Sequence, residues 1–139
     1  MTPARDRDVN PPVDLCPFCR PAGGVVWLTD EAGLALWDRY PVSEGHALVV
    51  PMRHVASVFD LTHIEQTGLW QLVGKVRERL VAHFAPDGFN VGFNDGAAAG
   101  QTVAHAHIHV IPRRAGDVPD PRGGIRWIIP DKAPYWETR

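Results

Sequence analysis

The chain has 139 residues and a net charge of −2, with 45% hydrophobic and 22% charged residues. That is the length and mix of one globular domain with room for a core. There is no basic excess to recruit nucleic acid or an anionic membrane surface, and no apolar run approaches the ~20 residues of a membrane helix.

Residues 1–13 are polar, with prolines at 3, 11 and 12, and lack the apolar stretch of a secretory signal. They read as a disordered N-terminus on a cytoplasmic protein. Cys16 and Cys19 follow and are the two cysteines of the chain. Their spacing suits a metal or redox pair and not a disulfide framework. No βαβ pattern surrounds them, which weighs against a thioredoxin-like pair.

Val25–Leu28 and Leu34–Trp37 are apolar runs around Thr29–Gly33 and predict a hairpin. His46–Val50, stopped by Pro51, predicts a third strand. Thr62-His63-Ile64-Glu65 has the form of a capping box. After it Leu69, Val73, Val76, Leu80 and Phe84 recur at helical spacing, until Pro86 and Gly88 end the helix. Gly68 and Gly74 each weaken that helix by roughly 1 kcal/mol against Ala, which predicts close packing on a sheet. Trp70, Val73 and Leu80 read as core, and His63 and His83 as surface. Phe89–Phe93 predicts a fourth strand, Asn94–Gly100 a small-residue loop, and Val103–Ile111 a fifth strand closed by Pro112. The tail, residues 118–139, is broken by prolines and reads as extended. The fold class is α+β: a five-stranded antiparallel sheet with one long helix on a face.

Three of the seven histidines fall in His105-Ala106-His107-Ile108-His109. On a strand these rings share one face, roughly 6.6 Å apart, while Ala106, Ile108 and Val110 face a core. Such a row suits metal ligation or nucleophilic attack on phosphorus, and makes an odd solvated edge. The loop before it favours phosphorus. Glycines such as Gly100 let backbone N–H groups crowd an anion, and Asn94, Gln101 and Thr102 add side-chain donors.

The run from Gly100 to Ile111 resembles the signature of the histidine-triad superfamily. The resemblance extends to Trp37–Pro51 and the Pro51-x-x-His54 segment, and covers residues 14–117. It implies a nucleotidyl hydrolase, usually a homodimer with the sheet extended across both copies. It implies His107 as the nucleophile on the α-phosphate and His109 on that phosphate. Asn94, Gly100, Gln101 and Thr102 would lie around phosphate oxygens, Asp38 near the ribose hydroxyls, and His46 near the histidine row. The transferase branch carries Gln where this chain has His109. The 99–103 and 112–117 runs look most like bacterial dinucleoside polyphosphate hydrolases. The alternatives are a purine nucleoside phosphoramidate hydrolase and a nucleotide-binding regulatory module with little turnover.

Zinc-bearing relatives complete the cysteine pair with two histidines, which here are His54 and His105. The resemblance therefore implies a structural zinc on Cys16, Cys19, His54 and His105. Phe18, Val26 and Trp37 are candidates to line a base pocket, with core burial as the rival for Trp37. Arg122 and Arg126 would either approach distal phosphates or remain surface charges.

Overall fold

The computed structural model describes residues 13–137. The expectation of disorder over residues 1–13 thus lies, except for Val13, outside the described residues. Val13–Leu15 is a short 3-10 turn leading into Cys16.

The hairpin strands are β1 (Val26–Thr29) and β2 (Gly33–Trp37), followed by β3 (Ala47–Pro51). After the helix α1 (His63–Phe84) come β4 (Gly88–Gly92) and β5 (Ile108–Arg113). All pairings are antiparallel and the strand order is β1-β2-β3-β5-β4. Gly33 pairs with Pro51, and a Cβ there would run into the Val50 carbonyl oxygen, so the hairpin needs glycine at that point. Asp30 closes the β1–β2 turn by accepting from the Ala32 and Gly33 amides at 2.8 and 3.3 Å.

The capping box forms as the sequence predicts. The Glu65 amide donates to Thr62 Oγ1 at 3.1 Å, and Glu65 Oε1 accepts from the Thr62 amide at 2.8 Å. The helix ends at Ala85, which is left-handed at φ 48 and donates to Val81 O. Leu69, Leu72, Val73, Val76 and Leu80 are buried on one side of α1, against Ala35, Ala47, Val49, Ile108 and Val110 of the sheet. Each fully buried Leu or Val side chain contributes roughly 1.5–3 kcal/mol. Trp70 is a correction: it is 59% exposed, because the helix turns it off the buried stripe. The two helix glycines also differ. A methyl on Gly68 would lie 3.2 Å from Ala32 Cβ, whereas one on Gly74 meets nothing within 4 Å.

The opposite face carries a smaller cluster. Leu36, Leu48 and Val50 are buried there under Phe18, Val25 and Leu34. Trp37 points to the helix side, stacked on Trp27 at 4.7 Å and edge-on to Phe84.

Three expectations shift. The last strand begins at Ile108, not Val103, so His105 and His107 precede it. The cause is a tether outside the ladder: the Ala106 amide donates to Val55 O at 2.7 Å. The strand also continues through Pro112. The Pro112 carbonyl accepts from Ser43 Oγ at 2.7 Å, so its nitrogen points the same way, off the β4 ladder, and no ladder bond is lost. The tail is not extended either. It folds into 3-10 turns at Gly124–Ile128 and Pro130–Lys132, with Ala133 fully buried. Two side chains close it: Arg126 donates to Lys132 O and Ala133 O, and Trp127 Nε1 donates to Arg122 O.

Candidate active site

The sheet face away from α1 carries the histidines. β5 and the segment before it supply His105, His107 and His109, the approach to β3 supplies His46, and the segment after β3 supplies His54. His105, His46 and His107 are buried, at 1%, 4% and 9% exposure. Phe18, lifted by the Cys16–Cys19 knuckle, packs on His105 and His107 with ring centroids 5.8 and 5.0 Å away.

Hydrogen bonds assign the tautomers. His107 Nδ1 lies 2.8 Å from His105 O. A carbonyl only accepts, so Nδ1 carries the proton and Nε2 holds a free lone pair. Burial holds the His107 pKa below the ordinary histidine value, so the ring is neutral at pH 7. In the same way His105 Nε2–H donates to Pro51 O at 2.9 Å. Its Nδ1 lone pair is thereby turned to Cys16 Sγ at 3.5 Å, Cys19 Sγ at 3.4 Å and His54 Nδ1 at 3.2 Å. Cys19 Sγ lies 3.2 Å from His54 Nδ1.

These four residues form one group of candidate metal ligands. A tetrahedral zinc, with Zn–N of about 2.0–2.1 Å and Zn–S of about 2.3 Å, sets ligand atoms ~3.3–3.8 Å apart. The observed spacing and the two-sulfur, two-nitrogen chemistry fit that ion. The His105 bond to Pro51 also supplies the outer partner that orients a ligating imidazole.

Asp38, His46 and His109 converge as well. The Val42 amide donates to His46 Nδ1 at 3.1 Å, so the His46 proton sits on Nε2. That Nε2 lies 2.9 Å from His109 Nδ1 and 3.3 Å from Asp38 Oδ2. A cation on Nε2 would force a proton onto Nδ1, against the Val42 N–H. The trio is therefore a hydrogen-bond chain that leaves the proton of His109 on Nε2. Burial pushes the His109 pKa down to about 4, with His107 and His46 adding to the effect and Asp38 opposing it. Burial lowers His46 too, against the Asp38 charge.

The loop residues stand apart. Gln101 Oε1 accepts from the Gly96 amide, and its Nε2 donates to Ala56 O and Val103 O, at 2.8–2.9 Å. Its amide therefore shapes the loop, and both its donors are engaged. Gly100 is left-handed at φ 97 and its amide donates to Ala97 O. Asn94 and Thr102 are exposed. Among the described residues no hydrogen bond joins these four to the triad. Sequence reasoning missed the backbone partners, the carbonyls of Pro51 and Val55 and the amide of Val42, because backbone groups leave no mark in residue identity. A cleft of about 600 Å³ near the start of α1, lined by Met52, Arg53, His63 and Glu65 among others, holds none of the triad. Arg53 and Glu65 pair with each other there at 2.8 Å.

The sequence profile of the HIT domain family matches residues 22–116. A bis(5'-adenosyl)-triphosphatase of Dictyostelium discoideum is 44% identical over 92 residues, which is 66% of this chain and 62% of that protein. An AP-4-A phosphorylase of Mycobacterium tuberculosis is 40% identical over 100 residues, 65% of this chain and 51% of that one. The chain thus spans between half and two thirds of the length of these curated relatives. A zinc-bound histidine triad family protein from Mycobacterium smegmatis superposes with a TM-score of 0.70 at 31% identity, covering 84% of this chain and 92% of that chain. No helix among the described residues is long and apolar enough to cross a membrane. The chain belongs to the HIT domain family.

Proposed function

We propose that the protein is a nucleotidyl hydrolase that cleaves dinucleoside polyphosphates at the α-phosphate through a covalent nucleotidyl-His107 intermediate. Residues 14–117 form the catalytic unit and residues 118–139 an added segment. The carrying observation is the 2.8 Å bond from His107 Nδ1 to His105 O, which leaves Nε2 unprotonated and aimed away from its own backbone. The relatives named a triphosphatase and a phosphorylase of dinucleoside polyphosphates support the substrate class.

In the first step His107 Nε2 attacks the α-phosphorus. The bond to the bridging oxygen breaks, and its electron pair leaves with the polyphosphate. His109 Nε2–H donates to a non-bridging oxygen, held in that tautomer by His46. Asn94, Thr102 and the Gly100 turn would donate to further oxygens, and Gln101 keeps that loop in shape. Asp38 accepts from the ribose hydroxyls with the lone pairs left over from Tyr40 N–H and His46. Phe18, Val25 and Leu34 form an apolar seat for the base. In the second step water attacks and gives up a proton to solvent, the P–N bond breaks, its pair returns to Nε2, and the nucleoside monophosphate leaves.

Cys16, Cys19, His54 and His105 would hold a structural zinc. When bound it supplies a cross-link between the N-terminal knuckle, the segment after β3 and the residue whose carbonyl orients His107. The free outer edge of β4 is where a second copy would extend the sheet in a homodimer.

The test is a substrate panel of diadenosine polyphosphates and adenosine phosphoramidate, with AMP and ADP followed as products. The proposal expects AMP release from diadenosine polyphosphates at the higher kcat/KM. In His107→Ala it expects turnover to fall by at least ~10³-fold while AMP still binds. Faster phosphoramidate cleavage selects the alternative hydrolase. ADP formed from diadenosine tetraphosphate only in phosphate buffer selects phosphate as the acceptor. Equally slow turnover in wild type and His107→Ala reduces the protein to a nucleotide-binding module.

A further inference from the structure

The tail after Asp117 lies on the same sheet face as the histidines. Gly92 of β4 is the register partner of His109, and paired residues of an antiparallel sheet project to the same side. A methyl on Gly92 would sit 3.5 Å from Ile125 Cδ1, so Ile125 stands over β4 directly beside His109. One residue earlier, a methyl on Gly124 would lie 3.2 Å from Asn90 Nδ2, on that same face. The 3.5 Å spacing at Gly92 is ordinary van der Waals contact, so the tail packs on β4 there.

What the tail offers is apolar. Ile125, Trp127, Ile128, Ile129 and Tyr135 are exposed at 66, 42, 76, 57 and 55%. Arg122 and Arg126 are engaged within the tail itself. The Arg122 guanidinium lies 4.5 Å over Trp136 and pairs with Asp120, while Arg126 lies 4.8 Å over Tyr135 and donates to two carbonyls. Both arginines are thus drawn into holding the tail's shape and do not form a phosphate cradle.

We infer that this folded tail is the leaving-group wall of the site, and that Ile125 selects substrates whose leaving group ends in a second nucleoside. The inference rests on the proposed hydrolysis and specifies which half of the substrate the tail reads. The nucleotidyl half is seated by Asp38, Phe18 and the triad. The departing half passes His109 and meets the apolar surface begun by Ile125, where a purine face stacks on aliphatic and aromatic groups.

The test compares diadenosine tetraphosphate with adenosine tetraphosphate, which share the adenylyl group and phosphate number and differ by the second adenosine. Wild type is expected to favour the dinucleoside in kcat/KM. Ile125→Ala is expected to lower that preference roughly five-fold, below the ~10–200-fold that a methylene commands in an enclosed pocket. The whole change falls on the dinucleoside, and AMP affinity is unchanged. Ile64→Ala, the same change at a more exposed isoleucine on α1, leaves the preference intact. An unaltered preference in Ile125→Ala, or an equal loss on both substrates, overturns the inference and leaves the hydrolase reading standing. Turnover of neither substrate by wild type refutes the hydrolase reading and this inference with it.

Discussion

The carbonyl of His105 holds the Nδ1–H of His107 at 2.8 Å, while the imidazole of His105 turns the other way, toward Cys16, Cys19 and His54. One residue therefore serves two sites. Its ring belongs to the candidate metal set and its backbone orients the proposed nucleophile. Any change that frees the ring also loosens the backbone that positions His107.

That relationship predicts the effect of metal removal. The wild-type protein should carry about one zinc per chain, and Cys19→Ser should lose it. The variant should melt more than about 10 °C lower and turn over more slowly, with kcat affected more than KM. Elemental analysis and a thermal melt check this. A Cys19→Ser protein with its wild-type metal content and melting temperature would contradict the zinc assignment.

The depressed pKa of His109 makes stability depend on pH in a definite direction. Its folded value is about 4 against 6.5 for an ordinary histidine. Between those values the unfolded chain binds more protons, so stability is complete above pH 6.5 and falls as pH drops toward 4. At about 1.4 kcal/mol per unit, the full loss is on the order of 3 kcal/mol. Urea unfolding at pH 7 and pH 5 should show a smaller difference in His109→Gln than in wild type. An equal difference in both proteins would place the titration elsewhere.

The helix glycines give a paired prediction. Gly74→Ala meets nothing within 4 Å and should stabilise the protein by about 1 kcal/mol. Gly68→Ala meets Ala32 Cβ at 3.2 Å and should gain less or lose. Denaturant midpoints of the two variants check the ordering, and the reverse order would show that α1 packs differently.

The capping box is separable from the site. Thr62→Ala removes the acceptor for the Glu65 amide and should cost about 1 kcal/mol while kcat/KM stays unchanged. A loss of activity beyond that of stability would tie the helix start to catalysis.

These variants also mark what the sequence discloses. The capping box and the period of Leu69, Val73, Val76 and Leu80 are local signals, and the helix follows them residue by residue. The alternation around His109 likewise foretells which face each side chain takes, because the register is fixed by a buried face. His105 and His107 looked like part of the same strand. They leave it because Ala106 N–H finds Val55 O, a partner 51 residues away that no local pattern announces. The tail looked extended because prolines interrupt it. Its compact form depends on Arg122 and Arg126 finding Trp136 and Tyr135, a pairing visible only once the chain has turned at Gly123 and Gly124.

The most direct measurement is a single-turnover reaction with diadenosine polyphosphate, quenched in alkali to preserve a phosphoramidate, digested and read by mass spectrometry. The account predicts a transient adenylyl group on the peptide containing His107, absent in His107→Ala. Turnover that proceeds with no adduct at any time point, or an adduct mapped to another residue, would contradict it.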